Sequence, residues 1–151
     1  KKKKIKVTIF RLFNIYGPGQ DLKNLYQGMF SIYLSQALKK KSIDITGSLN
    51  RYRDFVYIDD AVSGLLVNPK NKKNWIMNLG TGVKIKVKDV IKIIKKELGN
   101  KKIKVRTKSS YSEDTWGSYA NPSKLKSEGW RPKYNFSKGA RLTIYEESKK
   151  K

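Results

Sequence analysis

The sequence predicts an α/β fold, and three stretches predict it. The first, Ile5 to Ile15, is a nearly unbroken apolar run (Ile5, Val7, Ile9, Phe10, Leu12, Phe13, Ile15), the pattern of a strand buried on both faces of a parallel sheet. The second is Phe55-Val56-Tyr57-Ile58, followed at once by Asp59-Asp60 and by Ala61 to Val67. It reads as a short strand of β-branched and aromatic residues running directly into a helix. The third is the stripe Val87, Val90, Ile91, Ile94 and Leu98, with lysines off it, which makes one face of a helix.

Taken in order, the first strand ends in Asn14-Ile15-Tyr16-Gly17-Pro18-Gly19, a loop punctuated by glycine and proline. Ligands of open α/β sheets sit beyond the carboxyl ends of strands, so Asn14 and Tyr16 stand where a site is expected. Leu25 to Lys41 reads as a helix whose apolar face carries Met29, Phe30, Tyr33, Leu34, Ala37 and Leu38, residues of core type. A strand from Ile43 to Thr46 turns at Gly47-Ser48. Arg53 stands just outside the next strand, where its guanidinium either clamps a phosphate with two hydrogen bonds or pairs with a nearby carboxylate. Asp59 is placed to cap the helix that follows, and Asn68-Pro69 ends that helix.

Trp75 to Leu79 is a further strand, closed by Gly80-Thr81-Gly82, which is either a phosphate-binding loop or a tight turn. Gly99 suits the position just past the end of the helix that carries the Val87 stripe. Ile103 to Arg106 is a short strand. Lys108 to Tyr119 is polar and aromatic without a period, either a functional segment or a surface loop. Asn121 caps a short helix, with Pro122 in its first turn and Gly129 at its end. Ser137 is read as the cap of the last helix, through about Glu147.

The chain of 151 residues is the size of one ordinary domain. Lysine and arginine together number 35 against 12 acidic residues, for a net charge of +23, which favours polyanions and phosphorylated ligands. Only six of the 35 are arginine, the residue that reads base edges in DNA. The lysines are spread along the chain, so nucleic acid is not the expected partner. Histidine and cysteine are absent. Disulfides, thiolate or imidazole metal sites and Ser-His or Cys-His nucleophiles are thereby excluded from this chain, and no metal site is expected. Lys6 and Arg11 break the apolar run that follows the basic N-terminus, so neither a signal-peptide core nor a membrane span is read. A cytoplasmic location is expected. Residue 1 is not methionine, which leaves a piece of a longer protein as one reading.

Four motifs in order resemble the C-terminal half of extended short-chain dehydrogenases/reductases, the family of NAD-dependent nucleotide-sugar epimerases and dehydratases that includes UDP-glucose 4-epimerase-like enzymes. They are Arg11-Leu12-Phe13-Asn14-Ile15-Tyr16-Gly17-Pro18, then Arg53-Asp54-Phe55-Val56-Tyr57-Ile58-Asp59-Asp60-Ala61-Val62, and then Asn78-Leu79-Gly80-Thr81-Gly82. The fourth runs from Asp114 through Tyr119-Ala120-Asn121-Pro122-Ser123-Lys124 to Gly129-Trp130-Arg131-Pro132. The resemblance implies the C-terminal substrate-binding part of an extended Rossmann-type enzyme with the last parallel strand of its cofactor domain. Residues 1–18 would be that strand and its loop, 19–148 the nucleotide-sugar-binding region, and 149–151 a lysine tail.

The resemblance also implies roles. Asn14 would hold the sugar diphosphate and Phe13 would lie beside the nicotinamide of NAD. Arg53 would bind the nucleotide diphosphate and Asp114 the ribose. Gly28, Met29, Phe30 and Thr46 would wall the base pocket. Tyr111 stands where the family often has an arginine, Glu113 where a glycine is common, Thr46 where an aromatic packs on the base, and Lys86 where a serine or threonine caps a helix. The family's dinucleotide fingerprint, Gly-x-x-Gly-x-x-Gly after a first strand, does not occur in the chain. That fingerprint and the catalytic Tyr-x-x-x-Lys both precede the match to Arg11-Leu12-Phe13. The chain is therefore expected to lack both, to be inactive alone, and to need a missing N-terminal half or a partner chain. The complete enzyme is expected to form a homodimer, as family members often do. The rival expectation is a non-catalytic module that binds nucleotide sugars or polyanions.

Overall fold

The structure is a computed structural model and describes residues 7–24, 26, 28–69, 75–99, 102–109 and 115–150. The apolar run at the N-terminus does not form one strand. It splits at Phe13 into β1 (Thr8–Leu12) and β2 (Asn14–Tyr16). The split has a hydrogen-bonding cause. β1 pairs in parallel with β6 (Trp75–Leu79), and Phe13 N still donates to Leu79 O at 3.1 Å. One residue later Asn14 N donates to Asp54 O at 3.1 Å, and β2 continues beside β5 (Phe55–Tyr57). The chain thus changes neighbours between two residues.

The expectation that this run is buried on both faces is corrected for β1. Ile9 and Leu12 are each 52% exposed, and Val7 is exposed beside them. β1 has one strand partner among the described residues, and burial on two faces needs layers that a single neighbour does not supply. Parallel pairing recurs between β3 (Ser42–Thr46) and β8 (Lys104–Lys108), while β4 (Tyr52–Arg53) and β7 (Ile85–Lys86) pair antiparallel.

Among the described residues five helices cover these strands: α1 (Met29–Lys40), α2 (Ile58–Leu65), α3 (Val87–Glu97), α4 (Ser123–Ser127) and α5 (Phe136–Ser148). α1 begins four residues later than its apolar period suggests, with Gly28 as its extended N-cap. α3 contacts both α1 and α5. Its N-cap, Lys86, offers no side-chain acceptor. The carbonyls of Arg51 and Leu49 take its first N–H groups instead, from Val87 at 2.9 Å and Lys88 at 3.0 Å. The cap of α5 is corrected from Ser137 to Asn135, whose side chain accepts from Lys138 N at 2.9 Å. Asp59 does not cap α2 either, because the helix starts one residue before it. The buried Asp60 instead accepts from Lys133 N (2.8 Å) and Tyr134 N (3.0 Å), fastening the segment before α5.

Two clusters form the core. The larger joins Tyr16, Phe30, Phe55 and Phe136 edge to face with the apolar sides of α1, α3 and α5. Burial pushes the Tyr16 phenol well above its ordinary range, and its hydroxyl donates to Phe136 O at 3.2 Å. The smaller cluster holds Val56, Met77, Leu79, Leu125 and Trp130, with Phe10, Phe13 and Ile15 packed on it. Gly139 is the point where α5 meets the larger core. A methyl group there would lie 2.3 Å from the Tyr16 hydroxyl and 2.8 Å from the Tyr57 ring. Gly139→Ala is therefore expected to lower stability by about 1–3 kcal/mol through overpacking, read as a lower melting temperature.

Candidate functional site

The first residue of β2, the carboxyl ends of β3, β4 and β8 and one side of α1 line a cavity of about 720 Å³. It is lined by Asn14, Met29, Ile32, Tyr33, Gln36, Asp44, Thr46, Arg51, Arg53 and Lys108. Four residues singled out from the sequence, Asn14, Met29, Thr46 and Arg53, meet here although they come from four separate elements. Gly28 caps the adjoining helix. The Phe30 side chain does not reach the cavity; it is 1% exposed and sits in the aromatic core. Tyr111, Glu113 and Asp114 lie outside the described residues.

Each polar wall has a fixed orientation. The Asn14 side-chain amide donates to Asp54 O at 2.9 Å, which leaves its second N–H for a ligand. Arg53 donates to Tyr52 O at 2.9 Å and to Thr115 O at 3.2 Å. Its hydrogen bonds among the described residues go to carbonyls and not to a carboxylate, so the ion-pair alternative is not what positions it. A guanidinium has five N–H donors, and those left over can receive an anion. Arg51 is buried, and its guanidinium donates to Thr46 O and to Ser48 O, tightening the turn between β3 and β4. With Lys108, the described residues bring three cationic side chains and one carboxylate, Asp44, to the same space. That balance favours an anionic ligand.

Sequence reasoning missed Arg51, Gln36, Asp44 and Lys108. The period of two in β3 was the available signal. Ile43 and Ile45 point into the core, so Asp44 and Thr46 must share the other face.

The Gly80-Thr81-Gly82 loop is a tight turn that already holds an anion of the protein itself. The Asp54 carboxylate, fully buried, accepts from Thr81 N at 3.0 Å, Gly82 N at 2.8 Å, Ala120 N at 3.0 Å and the Thr81 hydroxyl. The loop at Gly17 to Gly19 behaves similarly, with Gly19 N donating to Glu147 Oε1 at 2.8 Å. Neither glycine turn offers these N–H groups to a dinucleotide pyrophosphate, so these residues do not build an NAD cradle. Phe13 packs partly buried on the smaller core.

The expectation that the chain lacks Tyr-x-x-x-Lys needs one correction. The spacing occurs twice, as Tyr134 with Lys138 and Tyr145 with Lys149, both after the last family motif. In each pair the ammonium lies over the tyrosine ring, 4.5 Å and 4.0 Å from its centre. Desolvation, followed by the charge of Asp59, raises the Tyr134 phenol. An acid/base tyrosine needs the opposite shift, so the Tyr134 pair does not have the arrangement of a catalytic couple. Among the described residues no group of three or more acidic side chains forms a metal site, and no helix is long and apolar enough to cross a membrane.

Comparison with known proteins identifies the family. The profile of the NAD dependent epimerase/dehydratase family matches residues 1–80. A provisional UDP-glucose 4-epimerase of Methanocaldococcus jannaschii is 34% identical over 140 residues, 93% of this chain and 45% of that protein. A UDP-glucose 4-epimerase of Thermotoga maritima, solved with UDP-glucose, superposes with a TM-score of 0.87 at 31% identity over 97% of this chain and 47% of its own. The UDP-glucose 4-epimerase of Thermus thermophilus, solved with NAD, gives a TM-score of 0.82 at 27% identity, covering 94% of this chain and 46% of its own. The chain spans about half the length of the relatives it matches. Its mixed α/β fold with parallel strands is that of the extended short-chain dehydrogenases/reductases, and the chain belongs to the NAD-dependent epimerase/dehydratase family.

Proposed function

We propose that this chain is the nucleoside-diphosphate-sugar-binding part of an NAD-dependent nucleotide-sugar epimerase or dehydratase, with hydride and proton transfer carried by residues outside it. The observation that carries the reading is the convergence of Asn14, Met29, Thr46 and Arg53, chosen from separate motifs, in one cavity with a cationic lining. In this reading Arg53 and Asn14 hold the diphosphate, and Met29 and Thr46 flank the base. Asp114 takes the ribose, and Phe13 faces the nicotinamide. Residues 1–18 act as the last strand and loop of a cofactor domain and 19–148 as the substrate region, ahead of a lysine tail at 149–151. The exposed Val7, Ile9 and Leu12 support it, since they are apolar side chains that further layers of such a domain would cover.

The test is to incubate residues 1–151 with NAD and UDP-glucose while following both binding and interconversion. The expected result is binding without conversion. Conversion by this chain alone would overturn the assignment of the chemistry to other residues. The +23 charge favours one second reading, a polyanion binder. That reading requires DNA affinity to fall by roughly 10³–10⁵ between about 50 and about 200 mM salt, the behaviour of a protein that contacts six to ten phosphates.

A further inference from the structure

The segment from Thr115 to Ala120 lies as a strap along β4, which has β7 on its other side. Burial does not hold it there, since Thr115, Trp116, Ser118 and Tyr119 are exposed. Three consecutive residues, Tyr52, Arg53 and Asp54, hold it instead. Tyr52 N donates to Trp116 O and Ser118 N donates to Tyr52 O, each at 3.4 Å, so that Tyr52 and Gly117 form a parallel bridge. Arg53 Nη2 donates to Thr115 O at 3.2 Å, while its Nη1 donates to Tyr52 O at 2.9 Å. The Asp54 carboxylate accepts from Ala120 N at 3.0 Å. Strap and strand come closest at Gly117. A methyl group there would lie 2.4 Å from Cζ and 2.6 Å from Cε1 and Cε2 of the Tyr52 ring, well inside van der Waals contact. That ring is bracketed in turn. Lys84 places its ammonium 5.1 Å from the centre of the Tyr52 ring and 4.3 Å from that of Tyr119, and the two rings meet edge to face at 6.2 Å.

We infer that Gly117 is a positioning residue for ligand binding: it lets the strap lie close enough to Tyr52 for the Thr115 carbonyl to hold the Arg53 guanidinium in place. The inference rests on the reading that Arg53 grips the diphosphate, and deepens it. The guanidinium is fixed from two sides, by its own strand through Tyr52 O and by the strap through Thr115 O. These bonds use two of its five N–H donors, and three are left for phosphate oxygens. A carbonyl orients the guanidinium without cancelling its charge, as a carboxylate in the same place would. Losing the strap carbonyl frees the end of a long side chain, and a ligand must then immobilise it at an entropic cost. Uridine has no phosphate and does not engage Arg53, so the effect of the strap falls on the diphosphate ligand alone.

The experiment titrates UDP and uridine into the protein, its Gly117→Ala variant, the same variant combined with Tyr52→Ser, and Arg53→Ala, each checked by thermal unfolding. Gly117→Ala is expected to lose about 3- to 10-fold in affinity for UDP, the scale of ordering one long side chain, and none for uridine. Tyr52→Ser removes the ring that the new methyl group meets and keeps the backbone bridge, so the double variant should recover most of the loss. A second measurement needs no Gly117 variant: hydrogen exchange at the amides of Tyr52 and Ser118, which bond between strand and strap. UDP should slow both in the wild type and uridine neither, because holding Arg53 on a ligand and holding the strap on Arg53 favour each other reciprocally. Four results each overturn the role of Gly117 while leaving Arg53 at the diphosphate. They are wild-type UDP affinity in a folded Gly117→Ala protein, an equal loss for uridine, a loss that the double variant does not recover, and exchange that UDP leaves unchanged or speeds. UDP binding that does not depend on Arg53 overturns the diphosphate reading as well.

Discussion

Asp54→Ala is expected to destabilise the protein by about 3–5 kcal/mol, the loss of at least two hydrogen bonds to a buried charge at about 1.5–3 kcal/mol each. The carboxylate is the hub for three backbone N–H groups and one hydroxyl from two distant segments, Thr81-Gly82 and Ala120. Removing it takes the acceptor from three N–H groups, the buried one of Ala120 and the partly buried ones of Thr81 and Gly82. The clasp is tightly packed, since a methyl group on Gly80 would lie 2.3 Å from Ala120 Cβ and 2.9 Å from Asp54 Oδ2. Asp54→Asn keeps the shape but turns one acceptor into a donor facing other donors, so it should recover little of the loss. Chemical denaturation checks both variants. Its midpoint should fall steeply in each, and a midpoint within error of the wild type would show that the carboxylate is not the clasp described. The effect reaches the cavity as well, since the Asp54 carbonyl holds the Asn14 amide and Asp54 follows Arg53 directly in the chain.

Arg53→Ala is expected to weaken UDP binding by about 30-fold or more, the lower end of what truncating one partner of a desolvated charge pair costs. Uridine, which has no phosphate, should bind wild type and variant alike. Arg53→Lys should fall between, because an ammonium restores the charge but not the planar fork that grips two phosphate oxygens. Calorimetric titration of the three proteins with UDP and uridine distinguishes this from a general loss of fold. An equal loss for both ligands would point to structural damage, and no loss for UDP would remove Arg53 from the diphosphate site.

The elements legible in the sequence are those whose residues carry their own periodicity. β6 was read residue for residue, from Trp75 to Leu79, and α3 was read from its stripe and from Gly99, which takes the left-handed conformation with φ +60. What escaped were features decided by distant partners. Composition gave no hint that the strand ending at Leu12 would hand its successor to a different neighbour, since the switch depends on the carbonyls of Leu79 and Asp54. Nor could the local pattern say which anion the Gly80 turn holds. A loop with free N–H groups looks the same in sequence whether it receives a phosphate or the carboxylate of Asp54. Ser137 and Asn135 are both good capping residues two positions apart, and only Asn135 meets Lys138 N.

Of the cavity lining, Asn14 and Arg53 were legible in the sequence because the motifs of the resemblance include them. It was less legible on α1, where Met29 and Phe30 are neighbours in sequence but face a cavity and a core respectively. Asp44 carries no motif at all. It was recoverable only from the alternation of β3, once Ile43 and Ile45 are known to point inward.

The most direct test of the central claim is a crystal structure of the protein grown with UDP-glucose. The account predicts density for the diphosphate against the Arg53 guanidinium and the Asn14 amide, with the base between α1 and β3 beside Asp44 and Thr46. Density for the nucleotide elsewhere on the surface, with the cavity around Arg53 filled by solvent, would contradict it.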